Sequence, residues 1–298
     1  MELLWEIIQF IFFSVLIVII SKNILVKTLR NLAENLNLKP KTVGDIAGIA
    51  TSVPELLTIS ASSFNGLLGA SIYNVLSSNV INFIQYDAAI MLNKNQKALK
   101  NKAIKIDIIL VIITIILPIC FIFVKSELQF AMVPVLILLY IGFKKINSNV
   151  HKLYLHDEDK EIEEQEAKEN RWKRGNKKKV AKNICVLIIT GLLLFVVGDL
   201  LGDTLETLCS RFNVPEFIVG IVLGFVTSIP ELITFFEAQK HHKNSQNDML
   251  GVIEATNNLL MSNVMNLFII QSVGITIYSL FSWMGQNVPG TFCPKFIL

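Results

Sequence analysis

Charge is what this sequence has little of. Asp, Glu, Lys and Arg make up 17% of its 298 residues, against 52% hydrophobic residues; a water-soluble domain carries about 25% charged residues. The shortage excludes an ordinary soluble fold. The formal net charge of +3 is small and gives no footprint for nucleic acid. Cysteine is sparse too. Cys120, Cys185, Cys209 and Cys293 are scattered without CxxC spacing, which argues against a cysteine metal site or redox pair. Three of them lie in or beside apolar runs and are expected to be small buried hydrophobes. The four histidines, His151, His156, His241 and His242, all fall in polar segments, which argues against zinc or haem. A basic n-region is missing as well: Glu2 and Glu6 precede the first apolar run, so no cleaved signal peptide is read.

Apolar length is what the chain does have. Several runs approach or exceed the roughly 18–20 residues that cross a bilayer. The pattern predicts helices at about 3–20, 42–64, 67–92, 106–124, 128–143, 183–201, 215–238 and 249–281. This is an all-α polytopic membrane protein of about eight transmembrane helices, whose first partner is the lipid bilayer. Three regions follow: a first half over 1–143, a polar segment over 144–182, and a second half over 183–298. The middle segment has an acidic block followed by a basic one and reads as a solvated loop, partly helical through opposite-charge pairs. The links after the first, third, fifth and seventh helices hold 24 of the 27 lysines and arginines. The positive-inside rule places these links in the cytoplasm and the N-terminus outside.

One six-residue stretch occurs twice: Thr51-Ser52-Val53-Pro54-Glu55-Leu56 and Thr227-Ser228-Ile229-Pro230-Glu231-Leu232. Each copy lies in a long apolar run, where a carboxylate is costly and marks a functional site. Pro54 lacks the N–H that would bond the carbonyl of Ala50, and Pro230 does the same to Val226. Each copy therefore offers a freed carbonyl, two hydroxyls and a carboxylate. All are oxygen ligands, which hard cations such as Ca²⁺ and Na⁺ prefer.

The repetition extends beyond the motif. Asn37, Val43, Gly44, Gly48 and Thr58 recur 176 residues later as Asn213, Val219, Gly220, Gly224 and Thr234. Asn74, Ser78, Asn79 and Asn82 recur at an offset of 184 as Asn258, Ser262, Asn263 and Asn266. Helical spacing puts Thr51, Glu55 and Thr58 on one face, and Asn74, Ser78 and Asn82 on another. The orientation makes the two motif helices antiparallel, as in an inverted repeat whose site lies at the membrane midplane. Glu55 and Glu231 are expected to meet there. Glu254, one turn before Asn258, reads either as an ion-access residue or as a surface charge. Asp45, Asp107 and Asp199 lie near helix ends, where snorkelling to the interface suffices.

On these motifs the sequence resembles the calcium/cation antiporter family, the sodium/calcium exchangers and their prokaryotic relatives. "VGDIAGIATSVPELLTISAS" with "SIYNVLSSNVINF" is similar to the family's first α-repeat, and "VGIVLGFVTSIPELITFFEA" with "TNNLLMSNVMNLF" to its second. The resemblance implies ten helices in two inverted halves around oxygen-lined cation sites. By matched position the ligands would be Thr51, Ser52, Glu55, Ser78 and Asn82 with Thr227, Ser228, Glu231, Ser262 and Asn266. Carbonyls near Gly48 and Gly224 would add to them. No cofactor is implied beyond the transported ions, Ca²⁺ with Na⁺ or H⁺.

Three departures from the family stand out. Tyr73, Ser77, Asn257 and Met261 replace glycines, and their bulk is expected to alter helix packing near the site. Asn82 and Asn266 are both neutral where some exchangers carry an acid. The sequence ends after the eighth helix, where the family has two more. The expected function is Ca²⁺/Na⁺ antiport across the plasma membrane (in prokaryotes, the inner membrane) by alternating access. Ca²⁺/H⁺ exchange is the first alternative and a truncated, non-transporting remnant the second. No feature of the sequence points to an enzyme or to a particular oligomer.

Overall fold

The computed structural model describes residues 2–36, 38, 40–64, 68–122, 129–154, 177–212, 215–244 and 248–283. Every regular element among them is a helix. Helix α1 (Glu2–Ile20) passes through a π-helical turn, Ser21–Val26, into α2 (Lys27–Leu36). Lys22, Lys27 and Arg30 of the basic segment after the first span are therefore helical. It is amphipathic: Leu29 and Leu32 are buried while Lys27 and Asn31 are exposed, the spacing of one apolar stripe.

Next come α3 (Pro40–Thr51), α4 (Val53–Phe64) and α5 (Leu68–Asn93). A 3₁₀ turn, Gln96–Lys100, leads to α6 (Lys102–Ile122). Helix α7 (Gln129–Tyr154) and α8 (Lys177–Phe212) flank the acidic block and most of the basic block, which lie outside the described residues. Then follow α9 (Glu216–Thr227), α10 (Ile229–Asn244) and α11 (Asp248–Val264). A π-helical turn, Met265–Ile270, joins α11 to α12 (Gln271–Trp283).

Several helices outrun the apolar runs that predict them. Helix α8 continues through Asp203, α7 through Tyr154, and α10 through the histidine pair that reads as a link. Once an apolar turn has nucleated a helix, each further residue adds a bond at little cost. The second and seventh spans depart in the other direction. Each is two helices, broken at Ser52 and at Ser228. Pro54 and Pro230 fall in the first turn of the restarted helix, where a missing N–H costs nothing.

Among the described residues four stretches are long and apolar enough to cross a membrane unaided: Phe130–Asn149, Lys178–Thr204, Gly220–His242 and Met249–Trp283. Only 6% of the first is buried against 56% of the third, so α7 lies at the periphery and α9–α10 at the centre. Helix α5, 26 residues long, spans about 39 Å, and its Ser71, Asn74, Ser78, Asn79 and Asn82 are buried rather than lipid-facing. Two of the bland sequence readings fail. Cys185 is exposed on α8 rather than buried, and Asp107 is buried, at 4% exposure, rather than snorkelling. Cys293 lies outside the described residues.

The packing follows the repeat. Helix α3 lies along α11, and its counterpart α9 lies along α5. Helices α1 and α2 lie against α8. Both α3–α11 and α9–α5 are close approaches made by glycine. A Cβ on Gly44 would run into the Glu254 carbonyl and sit 2.9 Å from Asn257 Cβ. One on Gly48 would sit 2.9 Å from Met261 Cβ. Opposite, one on Gly220 would sit 2.5 Å from Tyr73 Cβ, and one on Gly224 would run into Ser77 Oγ. The four bulky residues at family glycine positions are thus the ones that face the repeat glycines. The bulk is absorbed by its partner helix and leaves the backbones close.

Candidate cation site

The two helix breaks meet in the middle of this packing. Ser228 has φ −81° and ψ 0°, and its N–H reaches the carbonyls of Gly224 and Val226. The carbonyl that Pro230 leaves without a helical partner is thereby satisfied by a tightened turn. Around Ser52 two bonds bridge the break, Ser52 N–H donating to Gly48 O at 3.3 Å and Leu56 N–H to Ser52 O at 3.1 Å. Glu55 and Glu231 fall in the first turns of α4 and α10. There, backbone N–H groups without helical partners offset negative charge.

All ten residues expected as ligands, Thr51, Ser52, Glu55, Ser78, Asn82, Thr227, Ser228, Glu231, Ser262 and Asn266, are at most 1% exposed. Hydrogen bonds connect the repeats directly. Ser52 Oγ and Ser262 Oγ are 3.0 Å apart. Ser262 also donates to Glu231 Oε1 at 3.0 Å, and Asn82 Nδ2 donates to Ser262 Oγ at 3.3 Å. Thr227 Oγ1 lies 3.5 Å from Asn74 Oδ1, which also accepts from Ser78 at 3.2 Å. The two glutamates lie within electrostatic reach of each other. Thr227 and Thr51 donate back into their own helices, to Leu223 O at 3.0 Å and to Ala47 O at 2.9 Å.

Buried polar atoms without partners concentrate here. Both carboxylate oxygens of Glu55, Glu231 Oε2, Ser228 Oγ, Asn82 Oδ1 and both amide atoms of Asn266 make no hydrogen bond among the described residues. An unpaired buried polar group costs about 1–3 kcal/mol, more when charged. Such a cluster is a reservoir of unspent coordination. Among the described residues no three His, Cys, Asp or Glu side chains converge. The site therefore offers two carboxylates among neutral hydroxyl and amide oxygens, a donor set for a hard cation rather than for zinc or copper. The carbonyls of Gly48 and Gly224 are engaged already, accepting from Ser52 Oγ at 2.8 Å and from Thr227 Oγ1 at 3.5 Å.

A frame of asparagines and threonines supports these oxygens. Asn79 Nδ2 donates to Asn263 O, and Asn263 Nδ2 to Asn79 O, both at 3.2 Å. The pair is its own image under the repeat, so the pseudo-twofold axis passes between them. Asn74 donates to Thr58 Oγ1 at 3.0 Å, and its counterpart Asn258 donates to Thr234 Oγ1. The repeat pattern marks these residues, but only the packing shows which frame the site and which line it. Glu254 is 4% exposed, so its reading as a surface charge is overturned.

The sequence profile described as sodium/calcium exchanger protein matches residues 6–146 and 182–292. No curated protein sequence matches the chain significantly. Solved structures of the sodium-calcium exchanger NCX_Mj share the fold. One soaked with 2.5 mM Na⁺ and 10 mM Sr²⁺ is 20% identical, with a TM-score of 0.54 over 92% of this chain and 83% of that one. One soaked with 2.5 mM Na⁺ and 0.1 mM Ca²⁺ is 21% identical, with a TM-score of 0.53 over 92% and 82%. A third, with 2.5 mM Na⁺ and 1 mM Sr²⁺, is 18% identical at 0.51 over 95% and 91%. The chain belongs to the sodium/calcium exchanger family. It is a multi-pass helical membrane transporter of the cation-exchanger class.

Proposed function

From membership of that family we propose that this chain is a secondary antiporter that moves Ca²⁺ one way and Na⁺ the other across the plasma membrane. Thr51, Ser52, Glu55, Ser78, Asn82, Thr227, Ser228, Glu231, Ser262 and Asn266 line its ion path. The lysine-rich ends of the helices face the cytoplasm, and the N-terminus lies outside. The observation that carries this reading is the fully buried carboxylate of Glu55, with no hydrogen bond among the described residues and Glu231 nearby. Two like charges in an apolar interior call for a counter-charge.

The charge count sets the exchange. With Asn82 and Asn266 neutral, the empty site carries two negative charges when both glutamates are ionised. One Ca²⁺ or two monovalent ions restores neutrality, and a third Na⁺ would leave a surplus. Exchange is therefore close to electroneutral. Each ion load stabilises the closed site that it neutralises, and alternating access between those states couples the fluxes.

The test is ⁴⁵Ca²⁺ uptake into proteoliposomes with an imposed Na⁺ or H⁺ gradient, clamped at different potentials with K⁺ and valinomycin. Uptake driven by Na⁺ and insensitive to voltage is expected. Uptake driven by pH alone would make H⁺ the counter-ion. No uptake under either gradient would overturn antiport, and strong voltage dependence would overturn the charge count.

A further inference from the structure

Repeat symmetry holds for the polar residues of the site and fails at one buried position beside it. The offset that relates Asn74 to Asn258 also relates Ala70 to Glu254. Ala70 is fully buried, and Glu254 is 4% exposed. Helix α11 thus carries a carboxylate where α5 carries a methyl group. A buried acid at membrane depth is costly, and such acids mark ion or proton pathways.

One partner of Glu254 comes from the lysine-rich end of α10. His242, also 4% exposed, places Nε2 3.1 Å from Glu254 Oε2. Gly251 permits the contact: a Cβ there would sit 2.8 Å from Gln239 Cα and 3.3 Å from His242 Cβ. From Glu254 one face of α11 continues through Asn258 and Ser262, each four residues on and so about 6 Å further along the axis, and the π-helical turn that follows carries Asn266. Asn258 is 2% exposed. Its Nδ2 donates to Thr234, and its Oδ1 has no partner among the described residues. Ser262 holds Glu231. A row of buried oxygens therefore runs from Glu254 to the transport site.

We propose that Glu254 and Asn258 Oδ1 form a separate cation site for Ca²⁺ or another hard cation, on the lysine-rich side of the transport site, with His242 as its latch. The inference rests on the exchange reading for the direction of ion traffic, but not for the binding itself. An arriving cation takes the Glu254 carboxylate from the imidazole and moves on along α11. The opposite mouth has Ala70 at the matching position, which offers no ligand oxygen from its side chain. The two faces of the protein should therefore differ in apparent affinity.

The experiment uses the full chain in vesicles of known sidedness. Glu254→Gln should raise the half-saturating Ca²⁺ concentration for loading from the lysine-rich side about fivefold, the loss of one charged oxygen ligand, and leave loading from the opposite side unchanged. His242→Gln should shift the same side in the other direction. Equal shifts on both sides, or none, overturn the site. A second readout needs no transport. Purified chain carrying Glu55→Gln and Glu231→Gln should keep a carboxylate infrared band that shifts on Ca²⁺ titration and disappears when Glu254→Gln is added. Absence of that band overturns the site even if exchange works. Its presence with no Ca²⁺ flux in the unmodified protein would support the site while overturning exchange.

Discussion

The two repeats bring matching residues to the site and use them differently. From the second, Ser262 bonds Glu231, Ser52 and Asn82 into one connected group. The mirror group would join Ser78 to Glu55, Ser228 and Asn266. It is not formed. Ser78 turns instead to Asn74 Oδ1 and to the Gly224 carbonyl at 3.5 Å. The Glu55 carboxylate, the Ser228 hydroxyl and the Asn266 amide are left without hydrogen bonds among the described residues. One half of the site is closed on itself and the other is open. A cation entering the open half breaks no hydrogen bond. In the closed half it must displace bonds worth about 1 kcal/mol each. Sequence symmetry therefore sets the donor set, while the state of the packing sets which donors are available.

The largest test of that difference is charge removal. Glu55→Gln should abolish Ca²⁺ exchange, since removing half the compensating charge costs about 3–5 kcal/mol, more than 100-fold in binding. Glu231→Gln should also be severe but less so, because Glu231 already spends one oxygen on Ser262. ⁴⁵Ca²⁺ uptake in proteoliposomes measures both. Full activity of Glu55→Gln would remove it from the site.

Packing comes next. Gly220→Ala puts a methyl 2.5 Å from Tyr73 Cβ and 2.7 Å from the Ala70 carbonyl. Overpacking of this kind costs about 1–3 kcal/mol, read as a lower melting temperature in detergent with reduced flux. The double change Gly220→Ala with Tyr73→Gly should recover part of the loss.

Smaller effects separate the two halves directly. Ser262→Ala removes three hydrogen bonds and should lower both thermal stability and Ca²⁺ affinity, the latter about tenfold for one to two bonds of net worth. Ser228→Ala removes none and should leave stability unchanged while weakening Ca²⁺ binding a few-fold. Equal stability losses would break the distinction between a closed and an open half. The smallest effect on rate is expected from Asn266→Asp. It adds a third charge in the open half and should make exchange depend on voltage with little loss of turnover, which current recording from the same proteoliposomes would detect.

Much of this was legible in the sequence because a membrane limits the choices. Apolar length marks helices, and polar residues inside them stand out against it. The paired TSxPE motifs and their Asn/Ser faces therefore pointed to Glu55 and Glu231, and the family resemblance to their eight companions; all ten are buried. Other features were misread or left open for a physical reason. His242 and Glu254 sit at the polar ends of spans, where composition looks the same for a solvated side chain and for one buried by a neighbouring helix. The glycine replacements looked disruptive because Tyr73 and Met261 were read alone, without the Gly220 and Gly48 that face them.

The sequence by itself determined the inverted repeat, the carbonyls that Pro54 and Pro230 leave without a helical donor and the oxygen-only donor set. These depend on local chemistry: a missing N–H, a 3.6-residue period, and the side chains present. Only the tertiary structure decided that α3 lies on α11 and α9 on α5, that Asn79 and Asn263 clasp each other, and that the Glu231 half is closed while the Glu55 half is open. Those outcomes depend on which groups of distant segments come within hydrogen-bond distance, and a repeat that encodes two equal halves cannot say which of them will close.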